Sequence, residues 1–173
     1  MIRYIIKEYP IMLNKPLSEL IEQYQSVVLG TQGANGYPFG SYAPCYYDGE
    51  KLYIFISDIA THAKNIQSLP KASALFIEDE TNSQNIFARK RISLQCDVQK
   101  IEKTTDAYNE IMQKFQAKFE GGTLGMLMGM TDFNLYALTA IYGEATFGFG
   151  EAYNIGGEKM NCLVPRVGDS GHK

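Results

Sequence analysis

SVVLGTQGANGYPFGSYAPCYYDGEKLYIFIS, residues 26–57, decides the fold. Asn35-Gly36 and Asp48-Gly49 punctuate it, and both pairs tolerate positive φ, the geometry of a tight hairpin turn. Residues 26–30, 40–47 and 51–57 therefore read as three consecutive antiparallel strands. KLYIFIS is apolar on both faces, which predicts a third strand covered on both sides.

Working outward, Asn14 and Pro16 read as the cap and first turn of a helix, with Leu17, Leu20, Ile21 and Tyr24 on one apolar face. Residues 61–68 predict a short helix closed by Pro70, with Thr61 near its cap. Residues 72–77 (ASALFI) predict another strand, apolar on both faces, and residues 78–85 a polar loop. Ile92, Leu94, Cys96 and Val98 alternate with polar residues, the pattern of a strand with one wet face. Tyr108, Ile111, Met112, Phe115 and Phe119 predict an amphipathic helix, capped by Thr104 or Thr105 and ended by Gly121-Gly122. The Met- and Gly-rich residues 124–130 take no assignment. Residues 133–147 predict one long strand bent near Gly143. Beyond Ile155 no periodicity remains. The expected class is mainly β (α+β): about six antiparallel strands in a small barrel with flanking helices. The barrel domain takes residues 1–155 and a flexible C-terminal tail residues 156–173.

Apolar residues are 45% of the 173 and charged residues 20%, which excludes a disordered chain. Lys and Arg number 16 against 19 Asp and Glu, a net charge of −3, so there is no broad basic footprint for nucleic acid. Cys45, Cys96 and Cys162 are far apart with no CxxC spacing, which argues against zinc and for a reducing compartment. MIRYIIKEYPIML lacks the pattern of a signal peptide, and no apolar run approaches the ~18 residues of a membrane span. A soluble cytoplasmic protein with no membrane partner is expected.

No P-loop, GxGxxG, HExxH or GxSxG occurs, so chemistry has to rest on a bound cofactor. Four groups of residues carry candidate roles. In residues 57–65 a strand end runs into a helix start. Ser57, Thr61, His62, Lys64 and Asn65 lie there, suited to a phosphate or carboxylate or simply to a capped helix. Arg89-Lys90-Arg91 suits an anion or a solvated strand edge. Asp132 is either a loop carboxylate or a group that orients an imidazole. His172 belongs either to a mobile tail or to a ligand set, with Gly168 and Gly171 as hinges.

Residues 56–79 (ISDIATHAKNIQSLPKASALFIED), with the Gly-rich hairpin before them, resemble the flavin-binding split barrel of pyridoxamine-phosphate-oxidase-like proteins. Residues 131–153 (TDFNLYALTAIYGEATFGFGEAY) resemble the haem-utilisation branch of that superfamily, the HugZ/HutZ type. The marks are Asp132-Phe133, Leu135-Tyr136 and Phe147-Gly148-Phe149-Gly150. The resemblance spans about residues 18–155. It implies a six-stranded split β-barrel, a homodimer with sites at the subunit interface, haem binding, and oxidative haem breakdown fed by an electron donor. It also implies that His172, from the tail, ligates iron and that Asp132 of the other subunit hydrogen-bonds it. Arg89, Arg91, Lys64 and Arg166 are the cations available for the haem propionates.

Three functions are open at this stage. One is a haem-degrading oxygenase that releases iron. The second is an FMN-binding oxidoreductase using residues 57–65 with Arg89 and Arg91 for the phosphate. The third is a haem carrier or store without turnover.

Overall fold

In the computed structural model, which describes residues 16–166, the third predicted strand is the one covered on both faces. The elements in chain order are α1 (Leu17–Ile21), β1 (Ser26–Gln32), β2 (Pro38–Tyr47), β3 (Lys51–Ser57), α2 (Thr61–Ser68) and β4 (Lys71–Ile77). Then come β5 (Arg91–Ile101), α3 (Asp106–Lys118), α4 (Gly122–Met128), β6 (Phe133–Thr146), β7 (Ala152–Gly156) and β8 (Cys162–Pro165). Two short 3-10 turns, Glu80–Asn82 and Ile86–Ala88, lie between β4 and β5. Gly36 (φ 82°) and Gly49 (φ 98°) turn the first two hairpins, in the positions their dipeptides predict.

The strands follow the order β3-β2-β1-β4-β5-β6-β7-β8, and β3 pairs back onto β6. That pairing closes β1–β6 into a six-stranded antiparallel barrel, the split barrel with flanking helices expected from the sequence. β7 and β8 form a hairpin that continues the sheet from the end of β6. Leu52, Ile54 and Ile56 point to the inner core, joined by Leu17, Leu20 and Ile21 of α1 and by Ala63 and Ile66 of α2. Tyr53 and Phe55 point outward, where α3 covers them with Tyr108, Met112 and Phe115. Each Leu, Ile, Phe or Met side chain among them, taken fully from water, contributes about 1.5–3 kcal/mol. Thr105 caps α3, its hydroxyl accepting from the Tyr108 N–H at 3.2 Å. Burial pushes the Cys45 thiol up to about 11 and Cys96 to about 12, so neither is a thiolate nucleophile near neutral pH.

Several expectations change. Residues 72–77 alternate rather than being buried twice: Ala72, Ala74 and Phe76 are inside, while Ser73 is exposed and Leu75 half-buried. The second cover of the doubly apolar β3 comes from α3. Pro16, not Asn14, stands at the cap of α1, a helix of 5 residues; Asn14 lies outside the described residues. The unassigned residues 124–130 supply most of α4. The sheet runs past Ile155, since β8 pairs with β7 as far as Pro165. No helix among the described residues is long and apolar enough to cross a membrane.

The bend in β6 comes from a bulge. Gln95 faces Tyr142 and Cys96 faces Ala140, which leaves Ile141 as the extra residue. Gly143, two residues on, lets the bent strand press against its neighbours. A Cβ there would lie 2.7 Å from Leu94 Cδ2 and 2.8 Å from Ile155 Cγ1. Gly143→Ala is therefore expected to lower stability by about 1–3 kcal/mol through overpacking. Urea unfolding should show a lower midpoint with an unchanged slope.

Candidate functional site

The register of the barrel closure sets Ser57 opposite Phe133, so the exit of β3 meets the entry of β6. Ser57 Oγ donates to Asp132 Oδ2. The Asp58 N–H donates to the Asp132 carbonyl at 2.8 Å. The Asp58 carboxylate accepts from Gln67 Nε2 at 2.8 Å, from Asn134 Nδ2 at 2.7 Å and, at 3.4 Å, from the Tyr136 hydroxyl. Burial, with Asp58 beside it, raises the Tyr136 phenol above its usual value, so it serves as a donor. Among the described residues Asp132 Oδ1 accepts no hydrogen bond.

Asp58, Gln67 and Asn134 carry no role in the sequence reading, and Tyr136 enters it only as a mark of the resemblance. One signal was there: Asn134 is a lone amide in the apolar run FNLYAL. A buried amide needs a partner, and Asn134 is 5% exposed.

α2 starts three residues after Asp58, and Ala60, with no side-chain cap bond, holds the cap position expected near Thr61. His62 and Asn65 share the helix face turned to the first hairpin. His62 Nδ1 lies 2.9 Å from Ser41 Oγ, and Asn65 Nδ2 donates to Thr31 Oγ1 at 3.0 Å from a buried position. Thr61 and Lys64 are exposed.

The basic residues collect at the other end of the barrel, around a cleft of about 940 Å³ between α1, the β4–β5 loop and Phe147. Arg89 is turned into that loop, donating Nε to Glu78 O at 3.0 Å and pairing with Glu80 at 3.1 Å. Lys90 lies 3.7 Å from Glu78. Arg91 is exposed, with Nη1 donating to Arg89 O at 3.1 Å. Arg166 pairs with Glu144 at 2.8 Å and donates to Asn154 at 3.0 Å. The Tyr142 hydroxyl and Arg166 hold the Glu144 carboxyl below its usual range.

Arg91 pairs with Thr146 at one end of β6, and Asp132 precedes the other end. Fourteen residues of strand lie between, roughly 45 Å of path. One chain thus brings Ser57 together with Asp132 and sets His62 and Asn65 on α2 near that end. It does not bring Arg89 or Arg91 to them. His172 lies outside the described residues. Among those residues no three His, Cys, Asp or Glu side chains gather where a bare metal ion could be held.

The family model described as pyridoxamine 5'-phosphate oxidase matches residues 13–145. The chain is 31% identical over 152 residues to the heme oxygenase HutZ of Vibrio cholerae, covering 88% of this chain and 86% of that protein. A crystal structure of HutZ, described as the heme storage protein of Vibrio cholerae, aligns with TM-score 0.71 at 30% identity. It covers 77% of this chain and 94% of that one. Campylobacter jejuni ChuZ aligns with TM-score 0.79 at 31% identity, covering 91% of this chain and 63% of that one.

Burial lowers the His62 pKa from the usual 6.5. The folded state therefore resists protonation of this imidazole. Its contribution to stability is complete above about pH 6.5 and is lost as pH falls through the lower folded value. An NMR titration should place the His62 midpoint below 6.5, and replacing His62 by Gln should flatten the acid limb of the stability profile.

Proposed function

We propose that this chain, which belongs to the pyridoxamine 5'-phosphate oxidase family, binds haem and opens it oxidatively to a biliverdin-type product with release of iron. The observation that carries this is Asp132. Its carboxylate is anchored from β3 with one oxygen left over, in a chain 31% identical to a heme oxygenase over 88% of its length.

The donor set suits haem. An imidazole is the ordinary proximal ligand for haem iron, and the chain has two, His62 and His172. The resemblance to the haem-utilisation branch makes His172 the ligand of choice, and His62, whose Nδ1 lies at Ser41 with Nε2 left over, is the other candidate. Asp132 would accept the second N–H of that imidazole and raise its basicity. Arg91 and Lys64, both exposed, are free to meet propionates, whereas Arg89 and Arg166 are already paired with carboxylates. Haem, if bound, would be both O₂-activating cofactor and substrate, with O₂ as the oxidant and an external donor supplying the electrons.

A site that joins His172 to Asp132 would take two copies. Arg166 leaves the sheet beside Glu144, and the six residues from there to His172 reach at most about 20 Å. Asp132 is twelve residues along β6 from Glu144, roughly 40 Å of strand. On this reading His172 of one copy would meet Asp132 of the other. The outer face of the sheet supports such a dimer. Tyr42 is 69% exposed, Ile141 56%, Tyr142 45% and Val28 43%. The pairings Val28–Tyr42 and Val28–Leu75, with Gly30–Ser73 and Ser73–Gln95 beside them, make this one patch, and Gln95 carries it to Tyr142. Exposed apolar side chains set on one outer face in this way suit an interface.

One observation favours the FMN alternative. Thr61 and Lys64 stand exposed at the start of a helix without a side-chain cap, where a phosphate would find free N–H groups.

Added haem is expected to give a Soret band, and reductant with air should replace it by tetrapyrrole absorption. A band that persists identifies a carrier or store. Flavin bands in the protein as purified identify the oxidoreductase. His172→Ala should remove the imidazole signature, while Asp132→Ala should keep haem bound and slow turnover about 10–100-fold. Ile141→Glu should give a monomer in sedimentation and abolish haem binding with it. A wild-type monomer stable at micromolar concentration would refute the two-copy site.

A further inference from the structure

Ser57 was expected from the sequence to meet a phosphate or propionate. In the folded chain its hydroxyl is engaged elsewhere. The proton goes to Asp132 Oδ2, and Oγ accepts the Ile59 N–H at 3.2 Å. A serine has one proton to donate, and its remaining lone pairs have nothing to offer an anion. As long as Asp132 holds that proton, Ser57 is not an anion-binding group.

The consequence lies with Asp132. Rotation about the last torsion of an aspartate is broad and nearly twofold, so a free carboxylate presents either oxygen in many directions. The Ser57 hydrogen bond makes the two oxygens unequivalent. Oδ2 is occupied, and Oδ1 is without a partner among the described residues. The turn that carries Ser57 is itself braced. Asp58 binds the Asp132 carbonyl through its N–H at 2.8 Å, and its carboxylate takes Asn134 at 2.7 Å and Gln67 at 2.8 Å. Asn134 also donates to the Asp132 carbonyl, at 3.3 Å. Strand, turn and helix thus converge on the backbone of a single aspartate.

Resting on the reading of Asp132 above, we propose that Ser57 is a positioning residue. Its hydroxyl sets the rotation of the Asp132 carboxylate so that Oδ1 alone is left for an imidazole N–H. Asp58, with Asn134 and Gln67, holds the turn from which it does so.

Two measurements separate this role from the reading it rests on. In the haem-free protein, the side-chain carboxyl carbon-13 resonance of Asp132 is expected to shift in Ser57→Ala. It should return in Ser57→Thr, which keeps the hydroxyl, and lie between the two in Ser57→Cys, whose thiol donates weakly. An unmoved resonance in Ser57→Ala and Ser57→Cys overturns the proposal whatever happens with haem. In the reduced, haem-loaded protein, the iron–imidazole stretching band of Ser57→Ala is expected to move towards that of Asp132→Asn, with the wild-type position kept in Ser57→Thr. A band that moves in Asp132→Asn but not in Ser57→Ala overturns the role of Ser57 and leaves that of Asp132 standing. A band that moves in neither removes both.

Discussion

The pairing of β3 with β6 is the constraint on which the rest depends. Seven residue pairs, from Lys51–Thr139 to Ser57–Phe133, close the sheet on itself. Closure gives β3 two buried faces, one to the inner core and one to α3. It also removes the two edges that a six-stranded sheet would otherwise expose. The same register sets the site, because a shift of one residue would turn every side chain of β3 to the other face and part Ser57 from Asp132.

An antiparallel barrel has two ends, and its strands carry their termini to opposite ones. Asp132 and Ser57 stand at the end where β3 leaves and β6 enters. Arg91 and the exit of β8 stand at the other. Groups that the proposed haem site would join are thereby kept apart within one chain by the length of β6. A second copy removes that obstacle without any change to the fold. The exposed apolar side chains of β1, β2 and β6 are where such a copy would gain most from leaving water.

The Ser57–Asp132–Asp58 cluster shows how a polar group is kept half-buried near a barrel end. Asp58 accepts from three side chains and contributes no free oxygen to solvent chemistry, whereas Asp132 is held by one bond and stays available. Among the described residues no buried side-chain nitrogen or oxygen lacks a partner. The chemistry of the site therefore does not draw on an unsatisfied core group. On the proposed reading it draws on a half-buried carboxylate and on what is brought to it.

What the sequence determined by itself was everything reported by local periodicity and turn chemistry. Asn35-Gly36 and Asp48-Gly49 placed the hairpins, KLYIFIS announced a doubly covered strand, and alternation from Ile92 to Val98 marked one wet face. Thr104 or Thr105 marked the start of α3. The candidate positions Ser57, Thr61, His62, Lys64, Asn65, Arg89, Arg91 and Asp132 were legible as residue types, not as an arrangement. Only the tertiary structure decided that α3 covers β3, that β8 carries the sheet past Ile155, and that Arg89 folds onto Glu78 and Glu80. It alone set Ser57 on Asp132, two residues 75 apart in the chain. The physical reason is that periodicity reports only how each residue alternates between protein and water. Which strand lies beside which, and in what register, depends on contacts between distant segments that no local pattern encodes.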